Sequence, residues 1–268
     1  MSEDTGRIRV ERAGSRLDVV LDRPSRRNAM GGTMREDLAE VFEVAAGDWE
    51  RGDVRVIVLR GEGGAFCAGG DVANLLRMHS SGDDEGLRTL LSKGERVVRA
   101  IRAFPGPVIA SIDGPAVGAG LTLALACDLR VCTDESMLGM AFAKIGLHPD
   151  WGGTFLLTRA VGEARALDLC LTARIVLGPE AERIGLVHHS VPASEHAARV
   201  DKLAGRLAKG APRTQALIKD SVYLIRELGF TGGFGREAEA QAAAFATEDA
   251  AEGFRAFLEK RKPDYQGR

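Results

Sequence analysis

Twice in the first half of this chain a short apolar run stops abruptly in a glycine-rich loop, and no other feature restricts the possible folds as much. Residues 54–59 (VRVIVL) have the length and β-branched content of a strand and lead at once into GEGGAFCAGGD at 61–71. Residues 107–112 (PVIASI) run in the same way into DGPAVGAG at 113–120. Between them lie a polar loop at 80–85 and an amphipathic pattern around 87–101 that predicts a helix. Strand, helix and strand of this length predict a right-handed parallel crossover and an α/β fold.

The flanking segments fit that frame. Residues 8–11 and 17–21 bracket Ala13-Gly14-Ser15 and predict an opening hairpin that ends at Pro24. Thr33 is placed to cap a helix in which Met34, Leu38, Val41, Phe42 and Ala45 recur at helical spacing. After Gly120, LTLALAC is apolar on every side and predicts a wholly buried helix, with strand character resuming at 129–132. From Thr154 onward Ala, Leu, Arg and Glu dominate, and helices are predicted at 164–171, 194–208, 212–228, 236–246 and 250–260. GFTGGFG at 229–235 has linker character. The expected organisation is an α/β core over residues 1–190 followed by a helical region over 191–268.

Composition excludes several classes. The chain has 268 residues, 36 Lys and Arg against 38 Asp and Glu, and a formal net charge of -2, so no overall field attracts nucleic acid. A local cluster of Arg23, Arg26 and Arg27 can still hold phosphates. Cys67, Cys127, Cys132 and Cys170 form no C-x-x-C pair, and three sit in apolar runs, which points to reduced thiols and a cytoplasmic setting. The charged N-terminus offers no secretion signal. The longest apolar run, 116–127, is short and interrupted by Gly118, Gly120 and Thr122, so no membrane span is expected.

Each glycine-rich loop is expected to feed a helix N-terminus, where free backbone N–H groups and the helix dipole favour negative charge. Two such loops can face one oxygen atom, which is the arrangement an enolate forming from a thioester requires. Ordinary strand-to-helix turns would look the same. A dinucleotide site lacks its G-x-G-x-x-G here, and a phosphate loop lacks its GK[ST].

Four blocks, RPSRRNAM (23–30), GEGGAFCAGGD, DGPAVGAGLTLALACDLR (113–130) and KIGLHPDWGGTFLLTR (144–159), resemble in order and spacing the signature blocks of the crotonase, or enoyl-CoA hydratase/isomerase, superfamily. With the GLV at 185–187 and EGFRAFLEKRKP at 252–263, the resemblance spans nearly the whole chain. It implies a crotonase-like ββα spiral core, an acyl-CoA substrate, no separate cofactor because coenzyme A is part of that substrate, no metal, and a homotrimer or dimer of trimers held by the C-terminal helices.

The same resemblance implies a site. The two oxyanion-hole amides correspond to Gly70 and Ala119. Arg26 and Arg27 correspond to phosphate contacts, Ala29, Ala65 and Ala68 to the lining of the adenine and pantetheine path, and Asp71 and Val72 to the adjoining coenzyme A segment. Thr122, Phe142 and Trp151 fall in the acyl pocket. Hydratases of the family carry glutamates where this chain has Thr122 and Phe142, so water addition by a glutamate pair is not expected. The acid in HPDWGG, Asp150, resembles the aspartate of dienoyl-CoA isomerases, of ring-altering phenylacetyl-type CoA isomerases and of aryl-CoA dehalogenases.

An apolar pocket would raise the pKa of Asp150 towards that of a proton carrier near neutral pH. Aspartate also suits the cap of a helix starting near Gly152. His148 is a second candidate acid or base, His188 and His189 lack the spacing of a zinc site, and burial disqualifies Cys67 as a nucleophile. The expected activity is isomerisation of an acyl-CoA double bond or ring, most similar to the phenylacetate-pathway isomerases. The alternatives are a hydratase with a different acid/base set, and a non-catalytic acyl-CoA or RNA binding protein.

Overall fold

The computed structural model describes residues 6–268; the first five residues, part of the charged N-terminus, lie outside the described residues. The chain opens with β1 (Arg7–Ala13) and β2 (Arg16–Asp22), which pair antiparallel as the predicted hairpin. Helix α1 (Met34–Glu50) buries Met34, Leu38, Phe42 and Ala45, the stripe expected from their spacing. Thr33 stands at its N-cap position without a capping bond; its hydroxyl instead meets the Asp37 carboxylate at 2.8 Å. Strand β3 (Val56–Gly61) follows, then α2 (Val72–Ser81), α3 (Asp84–Ala103) and β4 (Val108–Ile112).

The second loop holds β5 (Ala116–Val117) and opens into α4 (Ala119–Ala126), all eight of whose residues are buried. Strands β6 (Leu129–Thr133) and β7 (Met137–Gly139), helices α5 (Gly153–Val161) and α6 (Glu163–Thr172), strand β8 (Val176–Leu177), helix α7 (Gly178–Arg183) and strand β9 (His189–Val191) complete the α/β part. The main sheet runs β1-β2-β3-β4-β6-β9 and is parallel from β2 onward; β5, β7 and β8 form a small second sheet.

The inner strands β3, β4 and β6 are buried on both faces, and their residues divide between them with a period of two. Ile57, Leu59, Val108, Ala110 and Ile112 pack on the side of α1 and α3. Val56, Val58, Ile109 and Val131 face the other way, where Val200 and Ala204 of α8 (Ala193–Ala208) cover them. Burial of a valine such as Val200 stabilises by about 1.5–3 kcal/mol. Helix α8 is therefore a layer of the core, although it lies beyond residue 190.

Beyond it run α9 (Pro212–Phe245) and α10 (Glu248–Leu258). The expected linker at 229–235 is helical; only Gly229 leaves helical geometry, at φ 65 and ψ -178, and breaks α9 there. The first half of α9 is tied to the sheet through Asp128, which accepts bonds from the Val108 N–H at 2.7 Å, from Lys219 Nζ at 2.9 Å and from the Tyr223 hydroxyl. Asp128, Lys219 and Tyr223 line a second cavity of about 430 Å³. Among the described residues no helix is long and apolar enough to cross a membrane.

Candidate active site

Parallel strands deliver both glycine-rich loops to the same edge of the sheet, beyond the carboxyl ends of β3 and β4, where open α/β sheets bind ligands. The loops are hydrogen-bonded to each other. Phe66 and Cys67 donate their N–H groups to the Pro115 carbonyl at 3.1 and 3.0 Å, and Val117 donates to the Cys67 carbonyl at 3.0 Å. Side chains are excluded where they touch. A Cβ on Gly120 would stand 2.0 Å from the Cys67 oxygen, and one on Gly69, whose φ is +100, would stand 2.8 Å from the Val117 oxygen. The same contact puts Gly69 beside the Ala119 nitrogen.

Two amides emerge from this junction unspent. Ala119 is the first residue of α4, so its N–H has no acceptor within the helix, whereas Gly118 donates to Gly139 at 2.8 Å. The Gly70 N–H likewise has no backbone acceptor among the described residues. Gly70 and Ala119 line one cavity of about 490 Å³, and Asp150 lines it too.

Asp150 sits in the turn before α5, and it does not cap that helix: Gly152 holds the cap position and no side chain bonds there. Its Oδ1 is buried without a hydrogen-bond partner. Burial pushes the carboxyl up to about 6, against the pull of the nearby Arg35 charge. The neighbouring Trp151 has φ 54, a conformation that costs a bulky residue about 1–3 kcal/mol and concentrates at functional sites. Its buried ring is held under the Arg35 guanidinium, 5.5 Å from the ring centre.

The cavity brings together Gly70, Ala119, Asp150, Phe142, Trp151, Ala68 and Val72 from the residues read out of the sequence. It does not include Thr122, which is fully buried behind it with its hydroxyl 3.4 Å from the Gly118 carbonyl. Nor does it include Ala65, which is 3% exposed and packed inside its own loop, where its carbonyl accepts from Asn28. Asp71 caps α2 by accepting from the Asn74 N–H and pairs with Arg23 at 3.0 Å, so its carboxylate has structural partners. Arg26 and Arg27 are exposed, and Ala29 is half-buried. Their segment nevertheless backs the first loop: Ala68 donates to the Arg27 carbonyl at 2.9 Å and Met30 to the Gly69 carbonyl at 2.8 Å.

Other candidates resolve simply. His148 is exposed at the cavity mouth, with Nδ1 2.7 Å from the Pro149 carbonyl oxygen. His188 accepts from the Arg130 N–H at 3.1 Å, and burial beside Arg130 holds it down to about 4. Burial pushes the Cys67 thiol up to about 11. Leu75 of α2 and Leu87, Leu90 and Leu91 of α3 supply a leucine wall, within the segment 75–91 on which the sequence makes pocket depth depend. The sequence reading missed Arg35, whose signal was a charged residue on the helical stripe that runs through Leu38 and Phe42.

The cavity thus gathers two amides without backbone acceptors and one half-buried carboxyl group in apolar surroundings. A family model described as enoyl-CoA hydratase/isomerase matches residues 11–268. A probable enoyl-CoA hydratase of Bacillus subtilis is 35% identical over 243 residues, covering 90% of this chain and 91% of that protein. A putative enoyl-CoA hydratase of Thermus thermophilus is 38% identical over 247 residues, covering 92% and 96%. The crystal structure of a putative enoyl-CoA hydratase from Streptomyces coelicolor superposes with a TM-score of 0.92 at 35% identity, covering 100% of this chain and 97% of that one. The chain belongs to the enoyl-CoA hydratase/isomerase family and has its crotonase fold.

Proposed function

We infer that the protein is an acyl-CoA isomerase that stabilises an enolate at the Gly70 and Ala119 amides and uses Asp150 as its acid and base. The thioester oxygen accepts from the two amides. Asp150 removes a proton from the acyl chain, the negative charge spreads into a dienolate whose oxygen the amides hold, and Asp150 returns the proton to another carbon. Each amide contributes on the order of 10²–10³ in rate by meeting charge that develops only as the reaction proceeds. The exposed Arg26 and Arg27, on the segment bonded to Ala68 and Gly69, serve the phosphates of coenzyme A.

The observation that carries this reading is the Asp150 carboxyl, half-buried with its Oδ1 buried and unpartnered in the cavity shared with both amides. The family's two hydratase glutamate positions hold Thr122, outside the cavity, and Phe142, which has no acid to offer. The names of the hydratase relatives favour a second reading, in which Asp150 activates water for addition to a 2-enoyl-CoA. Incubation of the pure protein with 3-enoyl-CoA and 2-enoyl-CoA substrates separates the two. Double-bond migration that is lost in Asp150→Asn supports isomerisation; hydration with no migration refutes it.

We assign the assembly to a homotrimer or dimer of trimers. Phe230, Phe257 and Leu258 are 84%, 84% and 80% exposed on the C-terminal helices, an apolar surface of the kind that subunits cover. Sedimentation at three or six times the monomer mass supports it, and a stable monomer refutes it.

A further inference from the structure

Among the described residues, Arg35 is the one arginine or lysine set in the wall of this cavity away from solvent. It lies in the first turn of α1, is 4% exposed, and lines the same space as Asp150 and Trp151. Its Nε is buried with no hydrogen-bond partner, and among the described residues no carboxylate lies within 4.0 Å of its guanidinium. The other basic residue of the lining, Lys144, is exposed. The centre of the Trp151 ring lies 5.5 Å from the guanidinium carbon. Burying a cation without an anion is costly, and proteins retain such a group where a ligand supplies the missing charge.

We propose that Arg35 binds a carboxylate at the far end of the acyl chain, so that the preferred substrates are monothioesters of dicarboxylic acids. This rests on the proposed function for the site of thioester binding and adds the chemistry at the other end. A planar guanidinium with free N–H groups matches a carboxylate through two parallel bonds, and the low-polarity wall of leucines and Trp151 strengthens them. An uncharged chain of equal length fills the same space and leaves the cation unpaired. Asp150 shares the cavity and its charge is felt by Arg35, but it makes no ion pair with the guanidinium within 4.0 Å and so leaves the N–H groups of Arg35 open to a ligand.

The test compares pairs of equal chain length. Titration calorimetry measures glutaryl-CoA against pentanoyl-CoA and adipyl-CoA against hexanoyl-CoA, and initial rates compare glutaconyl-CoA with 2-pentenoyl-CoA. The native enzyme is expected to bind at least one dicarboxylic member tenfold or more tighter than its neutral partner. In Arg35→Leu that ratio is expected to fall tenfold or more, to about one or below, as on truncation of one member of a buried charge pair, and Arg35→Lys retains part of it. Neutral partners bound as tightly by the native enzyme, or a ratio unmoved by Arg35→Leu, overturns the proposal. Should Arg35→Leu not fold, the native ratios and Arg35→Lys decide the matter. Absence of turnover on every enoyl-CoA refutes the proposed function while the binding ratios still judge Arg35. A changed pH profile with an unchanged ratio shows that Arg35 only tunes Asp150, and also overturns the proposal.

Discussion

Replacing Asp150 with asparagine separates catalysis from stability, because the two are expected to move in opposite directions. The side chain keeps its size and loses its charge. Raising the carboxyl from 3.8 to about 6 costs its ionised form about 3 kcal/mol at 1.36 kcal/mol per pH unit, and the opening to the cavity reduces this to about 1–3 kcal/mol. The native state then holds its proton to higher pH than the unfolded chain does, so native stability falls as pH rises from about 4 to about 6. Asp150→Asn removes that penalty and is expected to gain about 1–3 kcal/mol over the native protein at pH 8 and little at pH 4, read by urea unfolding at both values. Catalysis is expected to fall by about 10²–10⁴, the usual contribution of a positioned base. In the native enzyme kcat/KM is expected to rise through pH 6 as Asp150 ionises. A variant with more than a tenth of native kcat/KM, or with no more relative stability at pH 8 than at pH 4, would show that Asp150 is neither the base nor a strained acid.

Three further substitutions probe the frame around it. Gly120→Ala drives a methyl group to within 2.0 Å of the Cys67 oxygen and parts the two loops, so activity is expected to drop at least 100-fold with a lowered melting temperature; near-native kinetics contradict the loop junction. Arg35→Leu removes an unpaired buried cation and is expected to raise stability by about 1–4 kcal/mol in urea unfolding, whereas a loss would reveal a partner within the protein. Asp128→Ala takes the counter-charge from Lys219, which keeps the Phe104 and Gly106 carbonyls, and leaves the Tyr223 hydroxyl and the Val108 N–H without that partner; it is expected to cost about 3 kcal/mol, checked by the urea midpoint, and an unchanged midpoint shows that α9 is held by other contacts.

The strands were legible because each alternate residue faces a packed layer: Ile57 and Leu59 one way, Val56 and Val58 the other, all apolar. The two loops were legible because glycine is required where backbones meet, at Gly69 and Gly120. Thr122 and Ala65 fell outside the cavity because their position in a motif says nothing of which way the chain turns. Thr122 turns its hydroxyl back to the Gly118 carbonyl of its own helix start, and buried Ala65 meets Asn28 through its backbone carbonyl. The leucines of α2 and α3 form the cavity wall, yet Leu76 and Leu91 are exposed as readily as surface residues, so periodicity alone does not assign them. Arg35 was hidden for a related reason, since a long polar side chain on a helix normally reaches solvent, whereas this one is buried in the cavity wall beside Trp151. The break in α9 depends on a single residue, Gly229, while the five glycines and aromatics after it remain helical under neighbouring turns.

The most direct measurement is a crystal structure of Asp150→Asn with an unreacted 3-enoyl-CoA. The account predicts the thioester oxygen about 2.7–3.1 Å from both the Gly70 and the Ala119 nitrogens, with the residue 150 side chain against the carbon that loses its proton. A thioester oxygen held by any other group, or an acyl chain lying in the second cavity beside Lys219 and Tyr223, would contradict it.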